Sequence, residues 1–199
     1  FKLEKVDLYK RLAQKKAEEE PNNPMAFYEL GQVQIATGAV DEGIKAFERG
    51  LEIAPDFGDY RYGNLNYEIG NAYYQMKNDV DKALEFYLKA IEVRPGYMYV
   101  YSMVGAIYRK KGKNNLAEAY LKEAINMKTS IPNTHFDLGF VYFHQKKYKE
   151  ALKCFLQVIE MAPRYVGAYN NIAITHHLMG EKEKAREAWL KGLELDPEN

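Results

Sequence analysis

Residues 94–105 read RPGYMYVYSMVG, and the middle of this stretch admits two readings. Tyr97, Tyr99 and Tyr101 alternate with Met98 and Val100 at the period of a pleated strand, in residue types that favour strands. Followed downstream, however, Tyr101, Val104, Gly105 and Tyr108 stand at i, i+3, i+4 and i+7, which is one face of a helix. Leu116, Ala117, Tyr120, Leu121 and Ala124 form a second such face after the turn KKGKNN. Nothing between these faces leaves room for a strand with its turns. The helical period therefore prevails, and the tyrosine alternation is incidental.

The same two-helix pattern recurs along the chain. An aliphatic residue followed by a small one occurs at Leu30-Gly31, Ile69-Gly70, Val104-Gly105, Leu138-Gly139 and Ile172-Ala173, the small partners being 39, 35, 34 and 34 positions apart. A second set follows each pair. It runs Gly43, Phe47, Gly50, Pro55, then Ala83, Tyr87, Ala90, Pro95. The third is Ala117, Leu121, Ala124, with Thr129 in place of proline. Ala151, Phe155, Val158, Pro163 and Ala185, Trp189, Gly192, Pro197 complete the series. Gly38, Gly112 and Gly180 fall where first helices should close in a left-handed cap. The prolines stop second helices, because proline cannot donate the backbone bond and clashes with the preceding turn. Two helices cross closely only over small residues, and a single hairpin cannot bury its apolar face alone, so such units must stack. Tyr73, Tyr87, Tyr101, Tyr108 and Tyr142 fall on stacking places, so most of the tyrosine content is expected to be core.

These residues resemble the tetratricopeptide repeat family, whose helix–turn–helix unit runs to about 34 residues. Aligned to it, the units are 24–57, 63–97, 98–131, 132–165 and 166–199, with one residue skipped in the turn of the second. Gln34, Asn66, Thr129, His135, Val158 and His176 depart from the pattern and are scattered among the units. The resemblance implies an all-α, right-handed superhelical solenoid. Residues 58–62, GDYRY, are an insert between the first two units. Residues 1–23 read as an N-terminal capping helix whose apolar side carries Leu3, Val6, Leu8, Tyr9, Leu12 and Ala13. The last helix has nothing after Pro197 to cover it, which suggests truncation, self-association or a covering partner.

Composition bounds the function. The 199 residues are 47% hydrophobic and 28% charged, as in ordinary globular chains, and 28 basic residues balance 28 acidic ones. No global field points to nucleic acid, and no apolar run is long enough for a transmembrane segment. Cys154 is the only cysteine, which excludes a disulfide framework and favours a cytoplasmic over an exported setting. The chain starts at Phe1 rather than Met, so an upstream segment is expected to have been removed. The phosphate-loop, His-Glu-x-x-His and dinucleotide motifs are absent, and no cofactor or metal is expected. His176 and His177 are adjacent, so on a helix they point about 100° apart and cannot share an ion. An enzyme is not the expected answer.

The resemblance further implies that first helices line a concave groove with the second, fifth, sixth, ninth, twelfth and thirteenth places of each unit. Here these give Tyr28, Gln32, Tyr67, Asn71, Tyr74, Tyr99, Arg109, Phe136, Phe140, Phe143, Asn170 and His177 as the candidate peptide-binding groove. Glu29, Glu68 and Asp137 at sixth places add negative charge inside it. Aromatic rings offer contact area at low rotamer cost, and amides can pair with an extended backbone. The carboxylate clamp of the chaperone-binding members is not matched, since Tyr28, Gln32, Glu68, Tyr99 and Met103 occupy its places.

Charge is uneven despite the zero sum. From Arg109 to Lys149 there are nine basic and three acidic residues, and Lys110, Lys111, Lys113, Lys146, Lys147 and Lys149 gather in the turns as a basic edge. Either a solvated edge, or an acidic partner, lipid surface or nucleic acid bound with salt-dependent affinity, would account for it. The expected function is a scaffold binding a protein or peptide segment. The alternatives are a homo-oligomer assembled through the uncovered end, or an accessory segment of a larger enzyme complex.

Overall fold

The computed structural model describes residues 2–55, 64–128 and 130–196, with side chains from Lys5 onward. The helices are α1 (Lys2–Glu19), α2 (Pro24–Ala36), α3 (Val40–Ile53), α4 (Leu65–Asn71), α5 (Val80–Val93) and α6 (Met98–Lys110). They continue as α7 (Asn114–Asn126), α8 (Pro132–His144), α9 (Tyr148–Met161), α10 (Val166–Leu178) and α11 (Lys182–Leu195). No strand occurs among the described residues. The stretch that opened the question is helical from Met98, with Val100, Val104 and Ile107 fully buried and Tyr99 half exposed. The insert 58–62, Thr129 and Pro197 lie outside the described residues.

The chain forms two compact units, residues 1–100 and 101–199, with α6 spanning the division. In the first unit each helix packs on the next from α1 to α5. Ala13 and Ala17 of α1 meet Ala26, Leu30 and Ala46, so small residues set that contact. Beside it, Tyr28, Ile44, Phe47, Leu65, Ile69 and Ala72 close a second cluster. In the second unit α7 to α11 pack likewise in sequence, around buried Leu121, Leu138, Val141, Phe155, Val158 and Ile172.

Four of the helical pairs are closed by the same contact. A Cβ added at Gly70 would come within 2.7 Å of the Tyr87 ring, and one at Gly139 within 2.6 Å of the Phe155 ring. Gly31 sits likewise under Phe47, and Gly105 under Leu121. The large side chain therefore fills the space that a missing Cβ provides. In the last pair Ala173 is fully buried, but Trp189, at the place of the fully buried Phe155, is 43% exposed. No helix follows α11 among the described residues to cover it as α10 covers α9.

Local chemistry sets the helix ends. Asn23 accepts the amide of Met25 at 3.0 Å ahead of Pro24, and Asn64 accepts that of Asn66 at 3.0 Å. Asn64 is buried, and its Nδ2 also donates to the Ala90 carbonyl at 3.1 Å, tying the start of α4 to the end of α5. First helices close on a residue of positive φ. Gly38, Gly112 and Gly180 fill that place in three units, and Asn78 (52°) and Lys146 (60°) in the others.

One expectation is corrected. The extra residue of the repeat 63–97 does not lie in the turn. It is absorbed inside the first helix, where α4 runs into a π-helical turn at Ala72–Met76 and the Lys77 amide reaches back five residues to the Ala72 carbonyl. The positive-φ residue consequently stands eight positions after Gly70, against seven after Gly31, Gly105 and Gly139. A π-turn absorbs one residue without ending the helix, and it rotates everything after it.

Replacing Gly139 by Leu is expected to lower the stability of the second unit by ~1–3 kcal/mol, because the ring of Phe155 has nowhere to move. Gly96→Ala, where no atom lies within 4 Å of the added Cβ, is expected to leave stability unchanged or slightly raised. Urea denaturation of the two variants beside the parent checks both; equal midpoints would contradict the close-crossing account.

Candidate functional site

Residues of α2 and α4 in the first unit border a cavity of about 400 Å3. Gln32, Ile35 and Ala36 come from α2, Glu68 and Asn71 from α4, and Ala72, Gln75 and Met76 from the π-turn, with Phe47 at the back. Gln32 and Asn71 of the sequence-predicted set therefore share one depression. Tyr74 does not line it. The π-turn advances the register by one, so Gln75 and Met76 stand opposite Ile35 and Ala36, and Tyr74 is half-buried near the Tyr87 phenol. The only sequence signal for this is the one-residue excess of the repeat 63–97.

The polar groups around the cavity are partly committed. Gln32 donates to the Tyr28 hydroxyl at 2.6 Å, and the Tyr87 hydroxyl donates to Asn71 Oδ1 at 2.8 Å. Tyr28 itself is buried and packs on Phe47 at 6.1 Å, so it is core as much as groove. Burial, and then the nearby Glu68 charge, push its phenol up to about 12. Tyr67 stacks between Tyr87 at 6.0 Å and Tyr97 at 5.0 Å, and Tyr99 meets Tyr97 edge-on at 6.4 Å. The Arg94 guanidinium lies over Tyr97 at 4.9 Å. Tyr97 is also pushed up to about 12 by burial, then by Tyr67 and Glu68.

In the second unit, Phe136, Phe140 and Phe143 form a continuous half-buried aromatic strip on α8, with centroid spacings of 6.3 and 6.5 Å. Tyr165 closes one end at 5.0 Å from Phe136, and Tyr148 meets Phe143 at 5.9 Å. Arg109 Nε lies 2.8 Å from Asp137 Oδ1, with its guanidinium 5.0 Å above the Phe140 ring. Burial pushes the Asp137 carboxyl above its ordinary value against the opposing pull of Arg109. Arg109 is thus held by an acidic and an aromatic neighbour of its own unit. Asn170 is half-buried beside Gly192, and His177 is exposed with its ring 5.9 Å from Trp189.

The basic edge is not uniformly unneutralised. Glu118 bridges Lys122 at 2.6 Å and Lys147 at 3.5 Å, and accepts from Gln145 at 3.2 Å. Burial pushes the Glu118 carboxyl up, but the Lys122 and Gln145 hydrogen bonds and the lysine charges outweigh it and hold the carboxyl low. Lys147 also lies 5.5 Å over Tyr142, and Lys113 5.9 Å over Tyr108. Lys110, Lys111, Lys146 and Lys149 remain at the exposed surface. Burial pushes the Cys154 thiol up to about 11, so it is not poised as a nucleophile. Among the described residues no helix is long and apolar enough to cross a membrane.

Arg109→Met is expected to cost ~3–5 kcal/mol at neutral pH, because it strands a half-buried carboxylate. The Asp137 folded-state pKa, already above the unfolded value, rises further, so the folded form binds protons more readily and falling pH recovers part of the loss. Arg109→Met with Asp137→Leu is expected to regain most of the stability at pH 7. Urea titrations at pH 7 and about pH 5 check the set; a loss independent of pH would contradict the pairing.

Family models of the tetratricopeptide repeat match residues 6–56, 63–97, 99–130 and 130–198. The protein O-mannosyl-transferase TMTC3 of Mus musculus is 30% identical over 146 residues, covering 66% of this chain and 16% of that protein. The TPR repeat-containing protein MJ1428 of Methanocaldococcus jannaschii is 26% identical over 193 residues, covering 96% of this chain and 32% of the relative. The chain thus spans a third or less of the length of these two relatives. Among solved structures, YrrB, described as a TPR protein with an unusual peptide-binding site, superposes with a TM-score of 0.81 at 21% identity over 94% of this chain and 93% of its own. MamA superposes at 0.75 with 21% identity, over 84% of this chain and 95% of its own. Repeated helical hairpins closed over small residues, and matches along nearly the whole sequence, lead to one conclusion: the chain belongs to the tetratricopeptide repeat family.

Proposed function

We propose that the chain is a non-catalytic scaffold that holds a peptide or protein segment against the aromatic and amide-bearing faces of its first helices. The observation that carries this reading is the cavity between α2 and α4, bounded by groove-side residues of two successive first helices. Half-buried aromatic strips and amides beside a concavity suit an extended or helical segment, which gains contact area from rings and register from polar rungs. The peptide-binding site named for YrrB supports the same reading. Within it, residues 24–57, 63–97, 98–131, 132–165 and 166–199 act as repeats behind α1 as a cap. No cofactor enters the work, and the cytoplasm is its setting.

A second reading has its own observation. Trp189, Leu190 and Leu193 leave an exposed apolar stripe on α11, which a second copy could cover. The longer relatives favour a third, in which this stretch serves within a larger protein.

Photo-cross-linking separates them. A benzophenone amino acid placed at Gln75 or Tyr99, on the groove side, is expected to capture a foreign polypeptide in the source cell's extract. The same group at Leu156, exposed on second helix α9, is expected not to. Equal capture from all three positions, or cross-links only to further copies of this chain, would overturn the groove reading.

A further inference from the structure

The three acidic sixth places can be compared because the repeat puts them in equivalent positions. Glu29 on α2 is met by Lys16 of the preceding helix α1, Nζ to Oε2 at 2.7 Å. Asp137 on α8 is met by Arg109 of the preceding first helix at 2.8 Å. The Glu68 carboxylate on α4 has no hydrogen bond or ion pair among the described residues. The repeat place that Arg109 fills is filled in the first unit by Ile35, which lines the same cavity as Glu68 and brings no charge. Glu68 is half-buried there, and burial pushes its carboxyl above the ordinary value with no cation to oppose it.

The cavity is bordered by this carboxylate and by amides. Around the carboxylate stand Gln32 and Asn71, whose amides can accept from an ammonium or guanidinium group, and Met76, half exposed at the rim, which can cover an aliphatic stem. In the second unit Arg109 shows what such a site holds: a guanidinium joined to the sixth-place acid and laid over the ninth-place side chain, Phe140. The ninth place beside Glu68 is Asn71.

We infer that the cavity between α2 and α4 is a subsite for a lysine or arginine side chain of a bound peptide, with Glu68 as its counter-charge. The inference rests on the groove reading and names the chemistry that the first unit selects. A partly desolvated carboxylate rewards a matching cation more than a surface one does, because water competes less for either charge. Acidic or uncharged segments gain nothing there, so the site discriminates by charge.

A phage-displayed library of random dodecapeptides, panned in parallel on the parent protein and on Glu68→Gln, tests this. Sequences selected by the parent are expected to share one Lys or Arg position, and this preference is expected to vanish on the variant. Replacing that residue by norleucine in a synthetic peptide is expected to weaken binding to the parent about tenfold or more, and to change binding to Glu68→Gln little. The variant is nearly isosteric and removes an unpaired charge, so its thermal midpoint is expected to be unchanged or higher, which separates lost recognition from lost folding. Selected peptides without a shared basic position, or equal norleucine losses on both proteins, overturn the cation subsite and leave the groove reading standing. Failure to enrich any peptide overturns both.

Discussion

Everything in this molecule depends on how closely two helices of one repeat can cross. A glycine of the first helix lies beneath a large side chain of the second in four pairs: Gly31 under Phe47, Gly70 under Tyr87, Gly105 under Leu121 and Gly139 under Phe155. The absence of a Cβ brings the backbones together, and the ring or leucine then fills the remaining space. This contact orients the first helix, so it also decides which residues reach the next hairpin and which remain on the helix's other face. An overpacked crossing would tilt the helix and disperse the groove lining along with the core.

Once the crossing is set, the groove-side places of each unit can differ without disturbing the fold, and charge is where they differ most. Lys16 of α1 and Arg109 of α6 pair with Glu29 of α2 and Asp137 of α8. Ile35 leaves Glu68 uncompensated and leaves a cavity as well. The two consequences have one cause, since a longer basic side chain at position 35 would both satisfy the acid and fill the space.

Much of the fold was legible because periodicity and small residues act locally and repeat. The helical pairs, the left-handed ends at Gly38, Gly112 and Gly180, and the core tyrosines Tyr87, Tyr108 and Tyr142 follow from spacing alone. Lys146 takes the same left-handed place as those glycines and gives no such signal. The candidate site was legible only by register, and register is lost wherever a residue is added. The sequence contains the extra residue of the repeat 63–97 but does not say whether a turn or a helix absorbs it. The π-turn at Ala72–Met76 exchanges Tyr74 for Gln75 and Met76 at the cavity. Pairings across helices were equally out of reach, because a twelfth-place Arg109 reads the same whether it meets a ligand or Asp137.

The unpaired Glu68 bears on how stability and recognition divide along the chain. A carboxyl whose pKa is raised by burial disfavours the folded state at neutral pH, whereas a paired one such as Glu118 favours it. The first unit therefore carries a small destabilisation at a place where a glutamine would fit. The second unit has instead closed its equivalent acid with Arg109, exchanging an open site for a fixed contact. Hairpins of one pattern can thus differ separately, one holding an internal ion pair at Asp137 and one leaving the Glu68 carboxylate without a cation. In a repeat protein this separation needs no change of fold, because each unit's stability is set by its own contacts and those of its neighbours.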